Sequence, residues 1–314
     1  MFELINLNEY YNRESVLKEI VDFSKNRWLA IHCEQKTKEG GHILIRYIRK
    51  NVPLTIKTES DLKNIMKQFE KLKPRTIYAT ANVYKDLSSR QKVMDYFNNV
   101  IARTPTWDID SIIDNWKYTI EVAKAIANEL DKEGVSDSVY FIWSGNGLHV
   151  HIHEQAFSKE LYLRINPIDV GYAVVEYITK RIMKYVHEIN LKVKNTSKPI
   201  KVENLMDPQR VFTMPMSLHR ELNVSTIALK VNDLENFDIS WLNPKSPKSN
   251  KDWRKYTVGE ADNLAEKAYS VVGPYMFKLQ KGRRKSKYGV RKITSIIESA
   301  MQEALKFEEK RKKQ

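Results

Sequence analysis

Cysteine is almost missing from this chain: of 314 residues only Cys33 carries a thiol. One cysteine excludes an internal disulfide and any cysteine-based zinc knuckle. No apolar run approaches the roughly 18 residues that a membrane-spanning helix requires. The opening residues, MFELINLNEYYNRES, lack the basic-then-apolar layout of a secretory leader. The expectation is a cytoplasmic protein. The GxxxxGK[ST] pattern of a phosphate-cradling P-loop is also missing, so no ATPase or helicase motor is fused here. No internal repeat is visible.

What is present begins with charge. The formal net charge is +14, and 42% of the residues are hydrophobic, enough for a sizeable core. The charge is uneven: residues 278–314 hold 13 Lys or Arg against 4 Asp or Glu. Such asymmetry is what an electrostatic grip on phosphates needs.

The hydrophobic periods alternate between helix and strand. A helix is expected over residues 8–26, and strands over 27–33 and 42–48. In SDLKNIMKQFEKLK (60–73), Leu62, Ile65, Met66, Phe69 and Leu72 recur at helical steps, with Ser60 placed to cap them. A strand follows at 75–83, then the short strand TWDID. A helix face runs from Ile112 to Leu130, with Gly134 at its C-terminal stop. SVYFIW and LHVHIHE flank SGNG, where Asn-Gly predicts a hairpin whose two central residues take positive φ. A long helix over about 168–190 comes next, then short strands around RVFTMP and STIALKV. Mixed elements with antiparallel hairpins predict an α+β fold. The expected divisions are an α/β module at 1–100, a sheet-bearing module at 101–240, and a linker with a basic helical extension at 241–314.

Three stretches carry chemistry. On a strand, residues i and i+2 share a face, so Asp108 and Asp110 point together while Trp107 and Ile109 point into the core. Adjacent carboxylates repel unless a cation sits between them. With a third, they hold a pair of divalent ions suited to in-line attack on phosphate, and oxygen ligands favour Mg²⁺ or Mn²⁺ over zinc. In SGNGLH the turn brings Ser144 and His149 to one end of the hairpin. Gly145 and Gly147 leave backbone amides open to an anion, and His149 has a donor for a phosphate. In MDPQRVFTMPMSLHRE, Asp207 is the candidate third carboxylate. Arg210 and His219 have the charge and fork geometry for a triphosphate, with Ser217 beside them.

The order of these stretches, WDID (107–110), SGNGLHVHI (144–152) and DPQRVFTMPMSLH (207–219), resembles the archaeo-eukaryotic primase superfamily, and within it the archaeal DNA primase small (catalytic) subunit. The resemblance spans about residues 60–240. It implies an N-terminal α/β module packed on an antiparallel sheet module like an RNA-recognition motif. It also implies that Asp108, Asp110 and Asp207 are metal ligands, and that Ser144, His149, Arg210, Ser217 and His219 contact the incoming nucleotide. The implied activity is template-directed nucleotidyl transfer from NTPs or dNTPs on single-stranded DNA, with Mg²⁺ or Mn²⁺. The implied partner is a primase large subunit or a replicative helicase. The chain departs from that family at Thr213, where a second arginine is common, and in lacking the cysteines of a zinc insertion, so no structural zinc is expected.

Two other readings stay open. HVHIH puts His149, His151 and His153 on one side of a strand. His149 with His151 is also the metal-binding pair of an HUH-type rolling-circle nuclease, for which Tyr177 is the candidate nucleophile. The second is a non-catalytic, basic nucleic-acid-binding subunit of primase-like fold. Tyr84 and Trp143 are candidate stacking faces for a template strand. The tail after Gly282 offers charges for DNA and an apolar stripe (Ile293, Ile296, Ile297, Ala300, Met301, Leu305) for packing.

Overall fold

A computed structural model describes residues 2–193 and 198–275. Met1–Pro274 forms one compact unit, and of the second, Tyr275–Gln314, only Tyr275 is described. The basic tail and its apolar stripe lie outside the described residues.

The expected helix at 8–26 breaks at Asn12 and Arg13, and its main part is α1 (Glu14–Phe23). Strands β1 (Leu29–Lys36) and β2 (His42–Ile45) follow, then helix α2 (Glu59–Gln68). Its cap is Thr58, not Ser60: the Thr58 hydroxyl accepts from Asp61 N–H, and the Asp61 carboxylate accepts from Thr58 N–H at 2.9 Å. That reciprocal pair satisfies two otherwise unpaired helix donors, which Ser60, already inside the helix, does not do.

Strand β3 (Pro74–Thr80) joins the first sheet, and β4 (Thr106–Asp110) opens the second. Helix α3 (Trp116–Lys132) stops where expected, with Gly134 at φ 80° just beyond its end. Strands β5 (Val139–Trp143) and β6 (Leu148–Ile152) form the hairpin. Helix α4 (Pro167–Lys192) starts with the Asn166 side chain accepting from Ile168 N–H, and proline holds its first turn. Then come β7 (Lys201–Glu203), β8 (Val211–Thr213), β9 (Ile227–Leu229) and helix α5 (Asp262–Val272), which packs along α4.

Two main antiparallel sheets result, beside two two-stranded ladders. One has the order β8-β3-β1-β2 and the other β7-β4-β6-β5-β9. The architecture is therefore α+β, as the alternation of periods predicts. Strand β8 falls in the expected 101–240 module, yet it completes the sheet of the 1–100 module. Its Phe212 packs against His149 and His151 of the other sheet, with ring centres 5.1 and 6.1 Å away.

The central strands β5 and β6 of the second sheet are buried on both faces. Trp107, Ile109, Phe141, Trp143 and Val150 meet α3, α4 and α5 in one core. Tyr140, Ile142 and Ala228 meet α1, α2 and the first sheet in another. Full burial of such aromatic and branched side chains contributes about 1.5–3 kcal/mol each. Tyr84 and Trp143 are 1% and 0% exposed, so neither offers a stacking face to a template. Among the described residues no helix is long and apolar enough to cross a membrane.

Candidate active site

Because Trp107 and Ile109 are drawn into the helical core, Asp108 and Asp110 are turned to the opposite face of β4. Trp107 is pinned there by its indole N–H, which donates to Val175 O at 3.1 Å. Across the ladder His149 stands beside Asp108, and Lys201 and Glu203 stand opposite Asp110 and Asp108. The carboxylates open into a cleft of about 270 Å³, lined among others by Tyr78, Ser144, His149, Lys198, Arg210 and His219, with Thr213 and Arg220 at its edge. Its polar groups converge on one region. A larger hollow of about 980 Å³, lined by Asp131, Lys230, Arg254 and Tyr256, holds none of these residues.

Each carboxylate faces cations. Lys198 Nζ donates to Asp110 Oδ1 at 2.7 Å. Arg210 Nη2 lies 3.5 Å from Asp108 Oδ2, and His149 Nε2 lies 3.5 Å from Asp108 Oδ1. Burial lowers the pKa of His149, against the pull of Asp108.

The hairpin turn differs from the expected one. Among Ser144–Gly147 only Gly145 has positive φ, at 131°, so Asn-Gly does not form a two-residue turn with both central residues left-handed. The Ser144 amide and hydroxyl both donate to Gly147 O, at 3.0 and 3.2 Å, closing a wider loop. The glycines serve close approach. A Cβ at Gly145 would lie 2.3 Å from the His219 ring, and one at Gly147 would lie 2.2 Å from Ile109 O.

His219 is oriented by its own loop. Its Nδ1 accepts from Glu221 N–H at 3.1 Å and Leu222 N–H at 2.8 Å, so the neutral ring carries its proton on Nε2, a donor at the cleft wall. Burial, aided by Arg220, lowers its pKa from 6.5 to about 4. The unfolded chain takes up a proton below about pH 6.5 that the folded ring refuses. The stabilisation is therefore complete above that pH and lost as pH falls through about 4. Its size is on the order of 2 kcal/mol once partial exposure is discounted. His219→Asn keeps an acceptor at the Nδ1 position and cannot titrate. Its thermal melting is expected to fall less than the parent's between neutral and acid pH, and equal falls would contradict this account.

Of the residues expected in the site, Asp108, Asp110, Ser144, His149, Arg210 and His219 gather at the cleft. Ser217 and Asp207 do not. Ser217 is fully buried and its hydroxyl accepts from Ile77 N–H at 2.7 Å, a bond that ties the loop to β3. Asp207 is exposed; its Oδ1 accepts from Gln209 N–H, and its charge acts on Arg46 and Tyr96. Among the described residues no three His, Cys, Asp or Glu side chains come close enough to hold a metal ion. The three-carboxylate cage is thus not assembled. The Asp108–Asp110 pair by itself fits one hard divalent cation that takes its other ligands from water and substrate phosphates, a common arrangement for Mg²⁺.

Lys198, Arg220 and Tyr78 escaped sequence reasoning. Lys198 sits in the polar run KNTSKP, whose only signal is a basic residue near a strand. Arg220 directly follows the SLH stretch.

The nuclease arrangement is not built. Tyr177 packs on the α3–α4 core under Arg181 and Lys267. His149 and His151 share the opposite face of the sheet with Ile142 and Tyr140.

Fold and cleft together define an α+β protein with antiparallel sheets and a mixed acidic and basic cleft. No family model and no curated protein matches the sequence. Among solved structures, the polymerase domain of Mycobacterium tuberculosis ligase D in complex with DNA is similar at 12% identity and a TM-score of 0.48, over 87% of this chain and 90% of that one.

Proposed function

We propose that the chain is a primase-polymerase-type nucleotidyltransferase. It would bind an NTP or dNTP in the cleft and join it to a primer or a first nucleotide on single-stranded DNA. One observation carries the reading: two carboxylates on one strand face look across a glycine-opened hairpin at Arg210, His149 and His219. The strand and helix order from β4 to β7, β-α-β-β-α-β with β7-β4-β6-β5 in the sheet, suits the RNA-recognition-motif-like module that the primase resemblance implies.

In this reading Arg210 and Lys198 neutralise the triphosphate and are drawn off the carboxylates as it enters. His219 donates from Nε2, and the hairpin turn at Ser144, Asn146 and Gly147 lines the path of the polyphosphate. Asp108 and Asp110 would hold Mg²⁺ or Mn²⁺, which would supply Lewis-acid activation for the attacking hydroxyl and the leaving pyrophosphate. Positioning and charge neutralisation carry most of the rate in such transfers, so no covalent protein intermediate is expected. A large subunit or a helicase would supply further template contacts.

The test incubates protein with unprimed single-stranded DNA, labelled nucleotides and Mg²⁺ or Mn²⁺. Product should form with metal, vanish with chelator, and survive Tyr177→Phe. A protein–DNA adduct that depends on Tyr177 would instead identify a nicking nuclease. A second reading, a non-catalytic nucleic-acid-binding subunit, is favoured by the tight Lys198–Asp110 pair at 2.7 Å. It calls for template binding without product in either metal.

A further inference from the structure

HVHIH sets three imidazoles on one side of β6, and only His149 lines the cleft. His151 is 2% exposed, stacked on Tyr140 with ring centres 4.8 Å apart. Its Nδ1 lies 2.9 Å from Thr106 Oγ1, and the Thr106 hydroxyl is aimed at Thr104 O, 3.2 Å away. A hydroxyl has one hydrogen to give. With that hydrogen on Thr104 O, Thr106 Oγ1 accepts from His151 Nδ1–H. His151 Nε2 is then a bare lone pair, buried and without a partner among the described residues.

His149, 6% exposed, is its complement. Its Nε2 faces the Asp108 carboxylate, an acceptor, so the proton belongs on Nε2. Its Nδ1 is a second buried lone pair without a partner among the described residues. The two rings stand edge to face at 5.8 Å, and Phe212 holds both. No hydrogen bond joins the two nitrogens, and two acceptors cannot bond each other. One water donating a hydrogen to each satisfies both, and buried polar groups are rarely left unpaired.

We propose that His151 and Thr106 are positioning residues which, through a buried water, hold His149 in the tautomer with its proton on Nε2. The second ring nitrogen of a histidine is commonly fixed in this way by what the first one bonds. Thr104 O orients the Thr106 hydroxyl, the hydroxyl orients His151, and His151 orients the water that keeps His149 Nδ1 unprotonated. His149 then always presents a donor to the cleft. This consequence rests on the proposed nucleotide site, whereas the tautomer itself does not.

The experiment is nitrogen-15 NMR of the full chain with labelled histidine, His149 being assigned by its loss in His149→Gln. Unliganded parent protein should show His149 protonated on Nε2 and bare on Nδ1. Thr106→Val frees His151 to turn over its tautomer, so His149 should become a mixture, and Thr106→Ser should restore it. With nucleotide, Thr106→Val should raise KM about tenfold at unchanged kcat, the mark of a lost ground-state contact, and Thr106→Ser should recover it. A merely structural role would not give this pattern of loss and rescue. A parent spectrum with the proton on Nδ1 overturns the proposal, as does a Thr106→Val spectrum identical to the parent's. The parent spectrum alone can overturn the proposal, so a poorly folding variant does not remove the test. Should Thr106→Val disturb the expected parent tautomer while the parent binds no nucleotide, the relay stands and the nucleotide site falls.

Discussion

Asp108→Asn combined with Asp110→Asn is expected to cut nucleotide incorporation by about 10³-fold or more, while metal-free binding of inorganic triphosphate tightens. The first effect follows from electrostatic catalysis, where loss of a single preorganised group already costs about 10²–10³ in rate. The second follows from the charges around the cleft. Lys198 and Arg210 face two carboxylates there, and Lys198 Nζ is held at 2.7 Å by Asp110. Neutralising both acids leaves the cations without partners. At the effective dielectric of a partly wet site, that change is enough for about a tenfold gain in anion affinity. Opposite movements of turnover and metal-free affinity separate this outcome from simple misfolding, which weakens both. Radiolabelled incorporation and calorimetric titration of triphosphate without metal measure the two arms. Undiminished incorporation would end the polymerase reading, and weakened triphosphate binding would end the account of the cleft charges.

Local pattern was legible in the sequence for several single elements, though not for the break at Asn12 and Arg13 or the cap at Thr58. The alternation of TWDID fixed which side chains face the core, and β4 has Trp107 and Ile109 buried as that alternation requires. The helix stop at Gly134 follows from glycine's freedom at positive φ, and the structure has φ 80° there. What stayed illegible depends on contacts across long separations. Lys198 reaches Asp110 over 88 residues, and no spacing rule connects a polar loop to a strand that distant. Ser217 was expected to contact the nucleotide because the primase resemblance implies it. Met216, at φ 60°, turns the chain and sends the Ser217 hydroxyl inward to Ile77. Asp207 precedes Arg210 by one tight turn, with Arg210 N–H donating to Asp207 O at 2.9 Å. That turn faces the two side chains differently, so closeness in sequence did not become convergence at the cleft. The Asn-Gly pair misled for a related reason: Gly147 answers to a neighbouring strand, not to the turn it sits in.

Gly147 is consequently where the smallest chemical change should do the most structural harm. A methyl group there would meet Ile109 O at 2.2 Å, the Ile109 carbonyl carbon at 3.3 Å and Asp110 Cα at 3.6 Å. These are backbone atoms of the strand that carries both carboxylates, so no side chain can swing aside to make room. Its φ is not in the left-handed region, so the penalty of Gly147→Ala is steric alone. Relief requires the hairpin to lift off β4, breaking the Leu148–Ile109 register and displacing Asp110. Forced overpacking of this kind costs on the order of 3 kcal/mol, or a drop of about 6–10 °C in Tm for a domain of this size. Gly145→Ala makes a useful contrast. Its clash at 2.3 Å is with the His219 ring, so His219→Ala should relieve part of that defect and leave only the strain of φ 131°. The same second substitution should do nothing for Gly147→Ala. Thermal melts of the two single and two double variants would show rescue for position 145 and none for 147. A Gly147→Ala protein that melts and incorporates nucleotide like the parent would mean that the hairpin does not lie against β4 as described, and the cleft built on that contact would have to be redrawn.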